Sequence, residues 1–148
     1  MKPFSRKLTL AIFASVLVVA ITATAQVYKY YSPGSIWTVT TIRIKPGMDQ
    51  AYLAYLDSEF KKESDAQVKA GYMKSYKILR TLDDDSSWNL LILREYKSLA
   101  SLEADTEKSD ALAQQTSGND ELQMKGYEDR SKIREVLATK TARELMLK

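Results

Sequence analysis

The chain has 148 residues, a length typical of a single domain of modest size. Its 45% hydrophobic and 28% charged residues are ordinary for a packed globular protein and argue against long disorder. Cysteine and histidine are both absent. Their absence excludes disulfides, thiolate nucleophiles, Cys or His zinc sites, Ser-His-Asp triads and histidine-ligated haem.

The N-terminal segment has the order of a secretory signal peptide. Residues 1–7 carry three bases and no acid, residues 8–25 are uncharged and mostly apolar, and the run ends in Ala23-Thr24-Ala25. Cleavage after Ala25 would leave Gln26 as the first residue of a periplasmic or secreted protein. The alternatives are an uncleaved membrane anchor and a buried helix, because the apolar run is close to the shortest that spans a bilayer.

Cleavage would also remove the basic excess of the chain. The segment holds three of the 22 Lys and Arg residues, so the remaining bases balance the 19 Asp and Glu residues. Since nucleic-acid binding requires bases that neutralise phosphates, no nucleic-acid partner is expected. A membrane partner is expected only if the segment is uncleaved. Residues 26–35 are interpreted as a leader, and residues 36–148 as the folded domain.

The folded domain is predicted to begin with a strand over residues 36–45. Its β-branched residues alternate, and both of its faces carry side chains suited to partial burial. Pro46-Gly47 ends the strand, and a helix is predicted from Met48 to Ala70. We expect one face of this helix to hold three apolar residues: Leu53, Leu56 and Phe60.

Two further strands are predicted to form a hairpin. Residues 72–82 alternate between two faces, residues 83–87 form a polar turn, and residues 88–96 are strongly apolar. Adjacent strand residues point to opposite faces, so Trp88 and Asn89 are not expected to line one pocket together.

The C-terminal third is predicted to hold two helices and a last strand. Ser98 caps a helix that extends from Leu99 to about Gln115, and a second helix covers Asp120–Ile133. Residues 134–147 could continue the helix, but their β-branched residues and loose alternation favour a strand. The order β-α-β-β-α-(α)-β predicts an α+β, ferredoxin-like antiparallel sheet with helices on one face.

The second face of this sheet needs a partner. Helices cover one face only, yet strands one and three carry apolar or aromatic side chains on both. Dimerisation through the second face would bury them, so a homodimer is expected.

Four short motifs resemble the dimeric α/β-barrel superfamily. They are Ile44-Lys45-Pro46-Gly47, Gly71-Tyr72, residues 88–93 (WNLLIL) and Tyr96-Lys97-Ser98-Leu99. The superfamily includes antibiotic-biosynthesis-type monooxygenases, the NIPSNAP group and many uncharacterised bacterial proteins. The resemblance covers residues 36–147 and implies two ferredoxin-like subunits whose sheets pack into a barrel. Members that bind haem or metal use histidine, which this chain lacks, so no cofactor is expected.

Five residues are the candidates for ligand binding. Trp37, Tyr76 and Trp88 are aromatics with polar edges that can line a pocket for a flat, partly apolar ligand. Arg80 and Arg94, like Arg43, lie in predicted strands, where each should meet an acid, a ligand carboxylate or water. The candidate acids are Glu59, Glu63 and Glu95. The alternatives are core or dimer packing for the aromatics and structural ion pairs for the arginines.

The acidic run at residues 83–85 is the only candidate for cation binding. Carboxylates attract hard cations, but the run lacks the glycine and the distant glutamate of an EF-hand loop. A solvated hairpin turn is the favoured interpretation, so no metal site is expected.

No motif identifies a reaction, and three functions follow from these patterns. The first is an exported dimer of uncharacterised function that binds a small, partly apolar or aromatic molecule or serves as an accessory module. The second is a cofactor-independent monooxygenase or isomerase acting on a small aromatic or polyketide-like substrate, in which Arg or Tyr stabilises an oxyanion. The third is a structural dimer without a ligand.

Signal-peptide cleavage is directly testable by intact mass. For the protein purified from its own host, we expect the mass of a chain that begins at Gln26, because peptidase cleaves after the small-residue box. A mass that includes residues 1–25 would contradict the cleavage and favour the anchor.

Overall fold

The computed structural model describes residues 29–83 and 87–148. The predicted signal peptide, the first residues of the predicted leader, and Asp84 and Asp85 of the acidic turn lie outside the described residues. Within the described ranges, no helix is long and apolar enough to cross a membrane.

The described chain contains four strands, four α-helices and one π-helical turn. The strands are β1 (Tyr31–Ile44), β2 (Ser75–Arg80), β3 (Leu90–Tyr96) and β4 (Arg134–Leu147). The helices are α1 (Asp49–Tyr55), a π-helical turn (Leu56–Phe60) that continues it, α2 (Lys61–Lys69), α3 (Leu99–Ser117) and α4 (Asp120–Ile133). The predicted order is confirmed, and residues 134–147 form a strand. β1 begins at Tyr31 rather than at the predicted Ile36.

The strands form one antiparallel sheet in the order β2-β3-β1-β4. β3 lies between β1 and β2, so that Leu90 pairs with both Ile42 and Arg80. β1 and β4 are antiparallel. The Lys45 N–H donates to the Ile133 carbonyl at 3.0 Å, and Arg43, two residues earlier in the chain, pairs with Glu135, two residues later. This topology is that of a ferredoxin-like fold.

The chain divides into two compact units. The larger unit, Ser35–Glu144, contains the helices and most of the sheet. In the smaller unit, the described residues are 29–34 and Leu145–Lys148, and the Lys148 N–H donates to the Tyr30 carbonyl at 3.1 Å. The sites described below lie in the larger unit.

Two apolar clusters lie between the sheet and the helices. Cross-strand pairing places Ile42 and Leu90 on the face that the helices cover, where they are 1% and 0% exposed. The main cluster consists of Ile42, Ile44, Tyr52, Leu56, Phe60, Leu90 and Ile92. The smaller cluster consists of Ile36, Met73 and Tyr96. Burial of these side chains supplies the main driving force for docking the helices.

The π-helical turn keeps the first helix facing the sheet. Residues four apart on an α-helix drift by roughly 40° around the axis at each step, so Tyr52, Leu56 and Phe60 would spread around a regular helix. The wider i→i+5 turn counters the drift, and all three side chains are buried. The prediction for Leu53 is wrong, because Leu53 is 38% exposed and Tyr52 takes the buried position.

The helix ends where the sequence predicts. Ala70 is the last residue in a helical conformation, and Gly71 follows with φ of 77°. This left-handed conformation is sterically unfavourable for a residue with a Cβ atom, whereas glycine adopts it freely. The chain therefore turns back at Gly71 towards β2.

The opposite face of the sheet carries no helix in the part of the chain that the structure describes. Three cross-strand rows lie on it: Lys77–Leu93–Val39, Leu79–Leu91–Thr41 and Ser75–Glu95–Trp37. Most of these side chains are half-buried, and Leu79 is 49% exposed. We call these nine residues the open face.

Glu95 joins three segments at one edge of the open face. Its carboxylate accepts hydrogen bonds from the side chains of Ser35 (2.7 Å), Ser75 and Lys74. Burial alone would raise the pKa of Glu95, but these three donors outweigh burial and lower the pKa to about 2. The ionised carboxylate therefore stabilises the native state.

Replacing Glu95 tests this stabilisation through its pH dependence. Glu95→Gln should lower the free energy of unfolding at pH 7 by about 1–2 kcal/mol, a modest value because Lys74 is half-exposed and water screens the pair. The lowered pKa means that this stabilisation is present above pH 4.5 and is lost as the pH falls towards 2. Urea denaturation across this range should show the gap between wild type and variant closing.

The matched control is Glu103→Gln, which removes the same charge at an exposed position of α3. A pH-independent gap for Glu95→Gln, or an equal gap for the control, would contradict the assignment.

Candidate functional site

A cavity of about 160 Å³ lies between the covered face of the sheet and the first helix. Its lining is aromatic, apolar and cationic, and consists of Tyr52, Tyr55, Phe60, Ile42, Ile92, Val136, Thr40, Thr139, Arg94 and Arg134. We call this cavity the arginine pocket. Neither of its cationic side chains faces an acid among the residues that line it.

Strand alternation and helix spacing position the key side chains. Arg94 follows Leu90 and Ile92 at every second position of β3, so it points to the helices like its two apolar neighbours. Arg134 is the first residue of β4, directly after α4 ends at Ile133. Tyr52 enters from α1 and is fully buried.

Each arginine near the pocket lies over an aromatic ring. The guanidinium carbon of Arg94 is 5.3 Å from the centre of the Phe60 ring, and that of Arg134 is 5.5 Å from the Tyr52 ring. Arg130 lies 5.1 Å from the Tyr55 ring, just outside the pocket. Cation–π attraction holds the guanidinium groups in place without using their N–H donors.

Three residues that line the pocket each carry a buried polar atom with no hydrogen-bond partner among the described residues. They are the Tyr52 hydroxyl, Arg94 Nε and Arg134 Nε. Arg130 Nε is also unpartnered, but Arg130 has an acid nearby, since its Nη1 is 3.9 Å from a carboxylate oxygen of Glu59. Unpaired buried donors are rare because each costs free energy, and they call for a specific explanation.

The Tyr52 hydroxyl is neutral over the physiological range. Burial raises the pKa of Tyr52 to about 12, although Arg134, Arg130 and Arg94 all favour the ionised form. Burial likewise raises the pKa of Tyr55. Tyr52, one of the residues that line the pocket, therefore carries a protonated O–H donor.

The five predicted ligand-binding residues are distributed over three places. Trp37 lies on the open face, where the Lys77 ammonium is 5.8 Å from its ring. Tyr76 lies on the covered face, but its hydroxyl donates to Asp65 at 2.8 Å and its ring packs edge-on against Phe60. Arg94 alone of the five lines the arginine pocket.

Arg80 and Trp88 line a different cavity, an open groove of about 710 Å³ at the end of the sheet. Arg80 forms an ion pair with Asp49, the first residue of α1. The expectation that Trp88 and Asn89 cannot share a pocket is wrong, because both line this groove. They precede β3, which begins at Leu90, so strand alternation does not apply to them.

None of the acids predicted to pair with the strand arginines forms an ion pair with Arg43, Arg80 or Arg94 among the described side chains. Arg43 pairs with Glu135 and Arg80 with Asp49, whereas Glu95 accepts from Lys74. Among the side chains that the structure describes, Arg94 has no acid in salt-bridge distance. The same side chains include no group of three acids close enough to bind a metal ion.

Sequence reasoning missed Tyr52, Tyr55 and Arg134. Tyr52 and Tyr55 are three residues apart in the first helix, and their stacked rings are 5.7 Å apart, so this spacing was an available signal. Arg134 stands at the uncertain border between a helix and a strand, and no sequence signal places it beside Tyr52.

No protein-family profile matches the chain, and no curated protein matches it. Solved structures do match, and three of them each have a TM-score of 0.51. Two are dimeric ferredoxin-like proteins from uncultured marine organisms, and they are 15% and 13% identical to this chain. Both alignments cover 79% of this chain, and they cover 98% and 90% of the respective marine proteins.

The third solved structure is a NIPSNAP family protein of unknown function from Agrobacterium tumefaciens. It is 12% identical to this chain, and the alignment covers 78% of this chain and 90% of the NIPSNAP protein. Such low identities establish the fold alone. The ferredoxin-like fold predicted from the order of elements is confirmed, and one of these structures is described as a member of the NIPSNAP family, a group named in the suspected superfamily.

The unpartnered Tyr52 hydroxyl has a measurable consequence. Tyr52→Phe should raise the free energy of unfolding of the ligand-free protein by up to about 1 kcal/mol, because it removes a buried donor that has no acceptor. Tyr76→Phe, the control, should lower it by about 0.5–1 kcal/mol, because it breaks the bond to Asp65. Denaturant unfolding measures both.

A loss above about 1 kcal/mol for Tyr52→Phe would contradict the assignment, since it would mean that the hydroxyl is already satisfied in the free protein.

Proposed function

We propose that the chain is an exported protein that forms a homodimer through its open face and binds a small, partly apolar molecule in the arginine pocket of each subunit. Export rests on the signal-peptide pattern of residues 1–25. The observation that carries the binding function is a cavity between sheet and helices whose buried donors lack partners.

The dimer is supported by the apolar character of the open face. Leu91, Leu93, Val39 and Trp37 occupy adjacent rows there and are only half-buried within one chain. Two of the solved structures with this fold are described as dimeric. A second copy of the chain is the simplest partner for this face, because two-fold symmetry packs the same apolar patch of each subunit against that of the other.

The pocket has the mixed character of a ligand site. Apolar and aromatic walls provide favourable burial, while a few polar groups fix orientation, which is the usual composition of small-molecule sites. The pocket opens on the covered face and the dimer forms on the other, so the two roles use separate surfaces of one sheet. Trp37 then belongs to the dimer surface rather than to the ligand site.

The second candidate is a cofactor-independent monooxygenase or isomerase. One observation favours it: Arg94 and Tyr52 place cationic and neutral donors at one cavity, an arrangement that can stabilise an oxyanion in a transition state. The other residue expected in such a site, Tyr76, is bonded to Asp65 instead. Ligand binding requires fewer precisely positioned polar groups in the pocket than catalysis does. Binding is therefore our first proposal.

A lysine at the centre of the open face tests the dimer. Leu93 lies between Lys77 and Val39 in the middle row, so Leu93→Lys would bury an unpaired charge twice in a two-fold interface. We expect the wild type to be a dimer and the variant's dissociation constant to rise at least about 100-fold. Sedimentation velocity over a concentration series measures this.

The matched control is Met124→Lys, which makes a similar change on α4, where Met124 is 62% exposed. It should remain dimeric. A monomeric wild type, or a Leu93→Lys variant that dimerises as tightly as wild type, would refute the proposed interface.

A further inference from the structure

The arginine pocket also indicates the chemical class of its ligand. We infer that it binds a small carboxylic acid as its anion, with the carboxylate at Arg94, Arg134 and the Tyr52 hydroxyl and an apolar portion against Phe60 and Ile92. This inference rests on the proposed binding function and specifies its ligand.

The two pocket arginines lack the anion that arginines in such positions normally have. In the described part of the chain, neither Arg94 nor Arg134 has an acid in salt-bridge distance, whereas Arg43 and Arg80, on the same sheet, each do. Both pocket arginines are half-buried and have an Nε atom shielded from water and without an acceptor. A partly desolvated cation without a partner is costly, and a bound carboxylate would remove that cost.

The way the arginines are held suits a carboxylate. Each guanidinium lies over a ring, Phe60 for Arg94 and Tyr52 for Arg134. Such contacts fix the planar group while its in-plane N–H donors remain available, and two parallel donors match the two oxygens of a carboxylate. The two guanidinium groups therefore favour a ligand group that is both negatively charged and planar.

Tyr52 adds a neutral donor to the two cations. Its side chain is fully buried, its hydroxyl has no partner among the described residues, and burial keeps it protonated. A protonated hydroxyl donates to an anion, while the same group ionised would repel it. All three groups therefore favour a negative ligand atom.

The apolar walls and the volume limit the rest of the ligand. A cavity of about 160 Å³ equals roughly five water molecules at about 30 Å³ each, which suits a carboxylate with a short chain or a single ring. Arg134 and Val136 also line a neighbouring cavity of about 420 Å³, whose other lining residues include Lys45, Tyr127 and Glu135.

The test compares acids with their neutral amides. Benzoate and hexanoate, and then benzamide and hexanamide, are titrated into the purified protein by isothermal titration calorimetry. We expect at least one acid to bind at least tenfold more tightly than its own amide, since only the acid accepts charge-assisted hydrogen bonds.

Neutral variants locate the site. Arg94→Met and Arg134→Met should each weaken the acid at least tenfold and leave the amide within about twofold. Arg143→Met, at an exposed position of β4, is the matched control and should bind like wild type. Arg94→Lys keeps the positive charge but lacks the planar guanidinium. It should bind the acid more tightly than Arg94→Met and less tightly than wild type.

The outcomes separate this inference from the proposed function. Amides that bind as tightly as the acids, with no effect of Arg94→Met, would refute the carboxylate and leave a pocket for neutral ligands. Acid binding that Arg143→Met weakens as much as Arg94→Met does would refute the location. Absence of binding for all four probes at millimolar concentration would refute both the inference and the binding function.

Discussion

The alternation of side chains along β3 is the constraint on which the rest of the structure depends. One set of residues, Leu90, Ile92 and Arg94, faces the helices, and the other, Leu91 and Leu93, faces away. Only the first set is covered by the chain itself. The same strand therefore creates two demands that one chain does not meet, namely an apolar surface without a cover and a half-buried cation without an anion.

These two demands have separate solutions. In the proposed dimer, a second copy of the chain meets the first, because the open face is apolar at its centre and polar at Glu95 and Lys77. In the proposed complex, a small anion meets the second, because Arg94 and Arg134 line one cavity with the protonated Tyr52. The π-helical turn contributes to the second, since it keeps Tyr52 and Phe60 directed at the covered face of the sheet.

The fold was more predictable than the site. Alternation and turn residues gave the order of elements correctly, including the final strand over residues 134–147, because these signals are local. Arg94 was identified because a charge in an apolar strand is conspicuous. Tyr52 and Arg134 were not, since their proximity depends on how α1 and the start of β4 pack, which no local pattern encodes. Tyr76 and Arg80 bind acids that sequence spacing did not indicate: Asp65 and Asp49.

The most direct test is nuclear magnetic resonance of the arginine side chains in the protein labelled with nitrogen-15. The Nε–H signals of Arg94 and Arg134 should be observable without ligand because both atoms are shielded from water. On addition of benzoate or hexanoate, the account predicts that these two signals shift together and saturate, while those of Arg80 and Arg143 remain fixed. Shifts at Arg80 in place of Arg94 and Arg134, or none at any arginine, would contradict it.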